Sequence, residues 1–280
     1  MEIKFWGVRG SIPVCGSQFL KYGGNTTCLE ITDKNGDILI IDCGTGVKNL
    51  GKEIVRRNIR KIHIVFTHQH WDHILGFPFF APIYDKRNEI IITGCSYTTD
   101  DLRSIVSKIM QPPGFPVKFE EIDAKFSFVP MCKGGCIINN IKIFPIELSH
   151  PNGGLGYKFI EEGKTFVFLT DNELKYTHPG GKSFDEYVSF CKDADILVCD
   201  ADYTDKEYKI RKTWGHSTYK DALELAIKSN VKKLYLFHHN QDRTDKEIDL
   251  IVKKCNKFLK KNGYKTKCFA SKEGEKIKLG

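Results

Sequence analysis

Short apolar runs, several alternating with polar residues, open the chain at residues 3–8, 27–32 and 37–42 and predict β-strands. The last two are joined by Asp33-Lys34-Asn35-Gly36, a hairpin turn signal. Helical spacing follows over 47–58, then a continuous apolar strand over 62–66. Further helices are predicted over 73–80, ended by Pro82, and over 97–110, capped by Thr98 or Thr99, with a strand over 90–93 between them. Residues 111–116 form a proline-rich loop too short to link two domains. Beyond it lie a strand over 141–146 and a hairpin of 155–160 with 165–169 around Glu161-Glu162-Gly163. Strands over 196–199 and 233–237 alternate with helices over 217–229 and 244–261.

The two halves of this pattern mirror one another. In each, a hairpin ends in an aspartate, Asp42 and then Asp171. In each, a later apolar strand ends in a histidine, His68 and then His238. Strands alternating with helices imply a layered α/β protein, here read as one domain over 1–280. Polar residues placed just past strand ends predict a single site along a shared edge of two sheets.

Composition adds little to this picture. The 280 residues suffice for a sizeable core, and no apolar run reaches the roughly 20 residues of a membrane span. The amino terminus reads as a strand and not as a signal peptide, so a cytoplasmic address and no membrane partner are expected. Ten cysteines lack the spacing of a disulfide framework, which fits reduced thiols. Cys132 and Cys136 flank Gly134 and Gly135; a glycine turn between strands is favoured over a zinc knuckle, since no second pair follows. The net charge is +8, with many lysines between Lys253 and Lys278. These read as the solvated face of a terminal helix, with attraction to a polyanion as the alternative.

Candidate chemistry is concentrated in Thr67-His68-Gln69-His70-Trp71-Asp72-His73, directly after a strand. Imidazoles and a carboxylate this close suit zinc, manganese or iron, and would be costly in a core without partners. The run resembles the His-x-His-x-Asp-His hallmark of the metallo-β-lactamase superfamily, and the resemblance extends over essentially the whole chain. It implies a four-layer αββα sandwich of two similar halves and two divalent metal ions, zinc first, with manganese or iron as alternatives. By that resemblance His68 and His70 hold one metal, and Asp72 with His73 the other. His150, in Leu148-Ser149-His150-Pro151, resembles the third ligand of the first metal. Asp171 resembles the aspartate bridging both, and His238 the last ligand of the second, with His239 as its rival. Asp42 resembles a residue that orients ligand histidines by hydrogen bonds. His63 and His178 are given no role.

The segment Trp214-Gly215-His216-Ser217-Thr218 resembles the Gly-His-Ser/Thr stretch of the phosphodiesterase branch, which includes RNase Z. There the histidine works beside an acidic residue after the preceding strand, a position matched by Asp200. The resemblance implies a hydrolase in which a hydroxide bridging the metals attacks phosphorus and His216, held by Asp200, protonates the leaving group; Asp72 belongs to the same catalytic set. At the amino terminus, Trp6-Gly7-Val8-Arg9-Gly10-Ser11 and Tyr22-Gly23-Gly24-Asn25-Thr26 resemble segments of family members that are hydrolases or cyclic phosphate diesterases. Arg9 and Asn25 are therefore candidate substrate-binding residues, with Gly23 and Gly24 letting backbone come close to the site; loop packing beneath the metals is the equal alternative.

Small or cyclic phosphodiesters of the cyclic-nucleotide type are the expected substrates. An RNase Z-like RNA endonuclease, a lactonase or thioesterase, and a non-catalytic sensor are the alternatives. Residues 111–130 are read as a short lid, enough to cover a small ligand and too short to grip a tRNA. A homodimer is an expectation from the family, with no interface legible.

Overall fold

A computed structural model describes residues 1–94 and 99–279 of the chain. Its architecture follows from the alternation along the central strands. All four residues of β3 (Ile38–Ile41) are buried. Ile38 and Ile40 pack to one side, Leu39 and Ile41 to the other, as the two-residue repeat of a strand requires. In β10 (Lys164–Leu169), β11 (Ile196–Asp200) and β12 (Lys233–Phe237) the split recurs: Phe166, Phe168, Val198 and Phe237 face one core, Val167, Leu169, Leu197 and Leu236 another. Strands buried on both faces need a layer on each side.

Two seven-stranded sheets supply the inner layers. The first runs β14 (Lys276–Lys278), β1 (Glu2–Gly7), β2 (Cys28–Thr32), β3, β4 (Lys61–Phe66), β5 (Glu89–Gly94), β6 (Lys125–Pro130). The second runs β13 (Lys267–Ala270), β12, β11, β10, β9 (Leu155–Glu161), β8 (Ile141–Glu147), β7 (Cys136–Ile138). In both, four neighbouring strands run parallel and the remainder pair antiparallel. The halves are thus similar in ladder pattern as well as in the order of their elements, and each takes one strand from the carboxyl-terminal segment.

The sheets face each other across Phe5, Leu29, Val65, Phe159, Phe166 and Phe237. Outside the first sheet lie α1 (Val47–Arg56), α2 (Trp71–Ile74) and α3 (Thr99–Ile109), which bury Leu50, Ile54, Ile74, Leu102 and Ile105. Outside the second lie α4 (Phe184–Cys191), α6 (Tyr219–Lys228) and α7 (Asp245–Lys261), burying Tyr187, Leu225 and Leu259; α5 (Asp205–Arg211) leads into α6 and buries none of its residues. The result is the expected four-layer αββα sandwich. Four of these helices, α4 to α7, begin with a Ser or Thr cap and an acidic residue three positions on, each satisfying the other's backbone N–H. Lys253, Lys254, Lys257, Lys260 and Lys261 of α7 are all exposed, the solvated face expected for the late lysines. Among the described residues no helix is long and apolar enough to cross a membrane.

Two predicted elements differ. The helix expected over 73–80 ends at Ile74 and continues as 3-10 turns, Phe77–Phe79 and Ala81–Tyr84. Pro78 cannot donate to an α-helical ladder, and Gly76 N–H donates instead to Cys43 O (2.9 Å), bending the chain against the strand end. The lid expected over 111–130 returns to the first sheet as β6, parallel to β5, and packs Phe126 and Phe128 against Phe119. Cys132 and Cys136 bracket the turn that carries the chain from β6 to β7, with Gly135 at φ +86°. Of the predicted helix over 97–110, residues 97 and 98, including the candidate cap Thr98, lie outside the described residues.

Candidate metal centre

Parallel strands share a carboxyl edge, and ligand sites of α/β sheets sit beyond that edge. Asp42 follows β3 and His68 follows β4 after Thr67; Asp171 follows β10 after Thr170, Asp200 ends β11, and His238 follows β12. The in-register pairs Ile41↔Val65, Leu169↔Cys199 and Asp200↔Phe237 level these ends. Asp42, Asp171 and His238 hold left-handed backbone, φ +59°, +49° and +57°. Non-glycine residues rarely do so, and such strain gathers where side chains are redirected for function.

Seven side chains converge in two groups. His68, His70, His150 and Asp171 form one; Asp72, His73, Asp171 and His238 form the other, the candidate ligand atoms in each lying within 4.8 Å of one another. In the first, His150 Nε2 is 3.0 Å from His70 Nδ1, and Asp171 Oδ2 is 3.6 Å from His68 Nε2 and 3.9 Å from His150 Nε2. In the second, His238 Nε2 is 3.1 Å from Asp72 Oδ2 and 3.2 Å from Asp171 Oδ2, and His73 Nε2 is 3.1 Å from Asp171 Oδ1. Ligand atoms around a tetrahedral zinc lie about 3.3 Å apart for bonds near 2.0 Å. These spacings fit that shell.

The opposite ring edges are tied down. His73 Nδ1 donates to Asp42 Oδ2 (2.7 Å), which also accepts from Thr67 Oγ1 (2.7 Å). His150 Nδ1 donates to Gly215 O (2.8 Å) and His238 Nδ1 to Asp202 Oδ2 (3.2 Å). Such partners fix the tautomer that turns an Nε2 lone pair inward. Burial lowers the pKa of His68 and takes His150 down to about 3, whereas at His73 and His238 the carboxylates outweigh burial and raise it. Nε2 of His68 and Nε2 of His73 are buried without a hydrogen-bond partner. Orphaned nitrogens facing buried carboxylates, in an all-nitrogen-and-oxygen donor set, fit divalent cations.

His216 stands over both groups. Its ring stacks on His238 at 4.6 Å and meets His150 edge-on at 5.3 Å. Nδ1 donates to Asp200 Oδ2 (2.7 Å), and Asp200 Oδ1 is pinned by Ser217 N–H (3.0 Å) and Asp202 N–H (3.2 Å). Burial disfavours charge on His216, but the Asp200 carboxylate prevails and raises its pKa to about 9.

Arg9 and Asn25, the candidate substrate-binding residues, are both engaged in packing the amino-terminal loop. Arg9 is fully buried; Nε donates to Gly23 O (2.8 Å), and Nη1 to Asn240 O (3.1 Å) and Arg243 O (2.8 Å). The guanidinium fastens the amino-terminal loop to the segment after β12. Asn25 is likewise engaged, by Glu273 Oε2 (3.0 Å) and Thr45 Oγ1 (3.1 Å), and Gly24 packs on Val14, where a Cβ would meet its carbonyl at 1.9 Å. The same segment serves the site by its backbone. Ser11 N–H donates to Asp72 Oδ2 (2.9 Å), and Gly10 lies so close to His238 that a Cβ would sit 2.2 Å from the ring. His239 faces the other way, donating from Nε2 to Ser271 O (2.9 Å). His63 remains within β4. Asp202 and Gly215 are not legible as site residues, because each acts on a ligand from a distant stretch of the chain, and Thr67 is not because its hydroxyl acts on Asp42 beyond β3.

Residues 38–239 match the family described as "Beta-lactamase superfamily domain". The chain is similar to Ribonuclease Z of Picrophilus torridus, 23% identical over 87% of each chain. With Ribonuclease Z of Lactococcus lactis subsp. cremoris it shares 25% identity over 95% of this chain and 99% of the relative. Among solved structures, the metallo-beta-lactamase fold protein YhfI from Bacillus subtilis superposes with TM-score 0.71 at 15% identity, covering 99% of this chain and 98% of that one. A diphosphatase of the PhnP family gives TM-score 0.69 at 18% identity, covering 100% and 98%. The chain, with its paired His/Asp groups at the shared strand edge, belongs to the beta-lactamase superfamily and is a metal-dependent hydrolase of the metallo-β-lactamase fold.

Proposed function

We propose that the protein hydrolyses small phosphodiesters of the cyclic-nucleotide type, using two divalent ions, zinc first. His68, His70 and His150 would hold one ion, Asp72, His73 and His238 the other, with Asp171 shared. When bound, the ions would supply Lewis-acid stabilisation of developing negative charge and a water activated near neutral pH. The protein's own residues complete the reaction. His216, charged and held by Asp200, donates its Nε2 proton to the departing alkoxide, the step that a poor leaving group needs most. The observation that carries this reading is the His216–Asp200 pair at 2.7 Å, its ring stacked on His238 of one ligand group and edge-on to His150 of the other.

A small substrate suits the surroundings. A cavity of about 510 Å³ opens beside His150, lined among others by Met131, Lys133, Leu148 and Leu155. That volume is in the range of small-molecule sites. Trp71 and Trp214, 76% and 61% exposed, adjoin Asp72 and Gly215 and offer faces on which a nucleobase can stack. Of residues 111–130, the last six return to the sheet as β6, which leaves little chain for gripping a tRNA. The second reading, an RNA endonuclease, is favoured by the relatives named Ribonuclease Z.

A screen of the metal-reconstituted protein against cyclic mononucleotides, cyclic dinucleotides, bis-p-nitrophenyl phosphate and precursor tRNA separates the two. Turnover of the cyclic nucleotides is expected. Cleavage of precursor tRNA alone would overturn the small-diester reading.

A further inference from the structure

Glu173 is a fully buried carboxylate two residues beyond Asp171. Both of its oxygens are saturated by donors. Oε1 accepts from Thr213 N–H (2.8 Å) and Tyr208 Oη (2.8 Å). Oε2 accepts from Gly215 N–H (2.9 Å) and His178 Nε2 (2.9 Å). Its own N–H donates to Ser149 O (2.8 Å), beside His150. One side chain therefore joins the Asp171 strand end, α5, the His178 segment and the loop that ends in His216.

The loop is shaped around this anion. Thr213 and Gly215 have φ +75° and +93°, so their N–H groups converge on one carboxylate. A β-branched residue in that region is disfavoured and persists only where surroundings hold it. The peptide that gives its N–H to Glu173 belongs to the residue whose carbonyl accepts from His150 Nδ1, and the next residue is His216. A Cβ at Gly215 would sit 2.2 Å from His150 Nδ1, so the loop has no slack there. Every neighbour of the carboxylate is a donor, so an amide in its place would set N–H against N–H.

We propose that Glu173 is a positioning residue for proton donation: it clamps the Thr213 and Gly215 amides and thereby fixes where His216 stands over the site. This rests on His216 being the proton donor. A loosened loop would cost most when the leaving group needs its proton, whereas a purely structural role would lower turnover of all substrates alike.

The test uses the metal-loaded full-length enzyme and phosphodiesters graded in leaving-group pKa, with Glu173→Gln compared to His216→Ala. For Glu173→Gln, kcat on an alkyl leaving group is expected to fall by roughly 10- to 100-fold, and on p-nitrophenyl by less than about threefold. In the metal-free protein, exchange of the 213–215 amides should rise by more than the global loss of stability accounts for. Glu173→Asp, which keeps the charge but shortens the reach, is read the same way if the glutamine variant is insoluble. Equal losses on all leaving groups in the Glu173 variants, beside a steep dependence in His216→Ala, would overturn the role of Glu173 alone. No dependence in His216→Ala would remove the proton donor and this inference with it.

Discussion

Asp171→Ala is expected to lower turnover of a phosphodiester by on the order of a thousandfold or more and to leave the protein with fewer bound ions. The expectation comes from its place in the fold. Asp171 alone belongs to both ligand groups of four, with Oδ2 3.2 Å from His238 and 3.6 Å from His68, and Oδ1 3.1 Å from His73. Thr170 Oγ1 donates to Oδ1 (2.6 Å), and the left-handed backbone at Asp171 aims the carboxylate between the groups. Removing it would strip a ligand from each proposed ion and leave buried imidazoles facing one another. Asp171→Asn retains the shape without the charge and should lose nearly as much, because a neutral amide is a poor shared ligand for two cations. Kinetics and elemental analysis of the same preparations check both effects. Unchanged turnover in either variant would be incompatible with a shared carboxylate.

The second large effect is selective. His216→Ala is expected to reduce kcat on diesters with alkyl leaving groups by about 10²- to 10⁴-fold, the usual contribution of a positioned acid. An activated aryl leaving group departs without a proton and should be spared most of the loss. The structural basis is the division of labour on one ring. Nδ1 is committed to Asp200 at 2.7 Å, which leaves Nε2 to donate, and the pKa near 9 keeps the ring charged at neutral pH. Asp200 is itself held by two backbone amides, so the pair is rigid before substrate arrives. Equal losses on alkyl and aryl diesters would assign His216 another task.

Much of this site is legible in the sequence because its parts fall at recognisable places. His68, His70, Asp72 and His73 crowd one strand end, and His150, Asp171 and His238 each follow an apolar run. The choice between His238 and His239 is a matter of direction: His238 leaves the strand in a left-handed turn toward the site, while His239 turns back to Ser271. Arg9 is less legible. A glycine-flanked arginine on a loop has the same local sequence whether it meets a phosphate or carbonyls, and two of the three carbonyls it meets come from Asn240 and Arg243, far along the chain. Glu173 is illegible for a related reason, since two of its donors are backbone amides some forty residues away. The strand β6 is hidden by an edge pattern of alternating exposure behind a run of prolines.

Two buried His/Asp groups that each bind an ion and share Asp171 are tested most directly by elemental analysis of protein reconstituted with zinc or manganese and then cleared of loosely held metal. Two ions per chain are expected. One or none, under conditions that leave the protein folded, would contradict this arrangement.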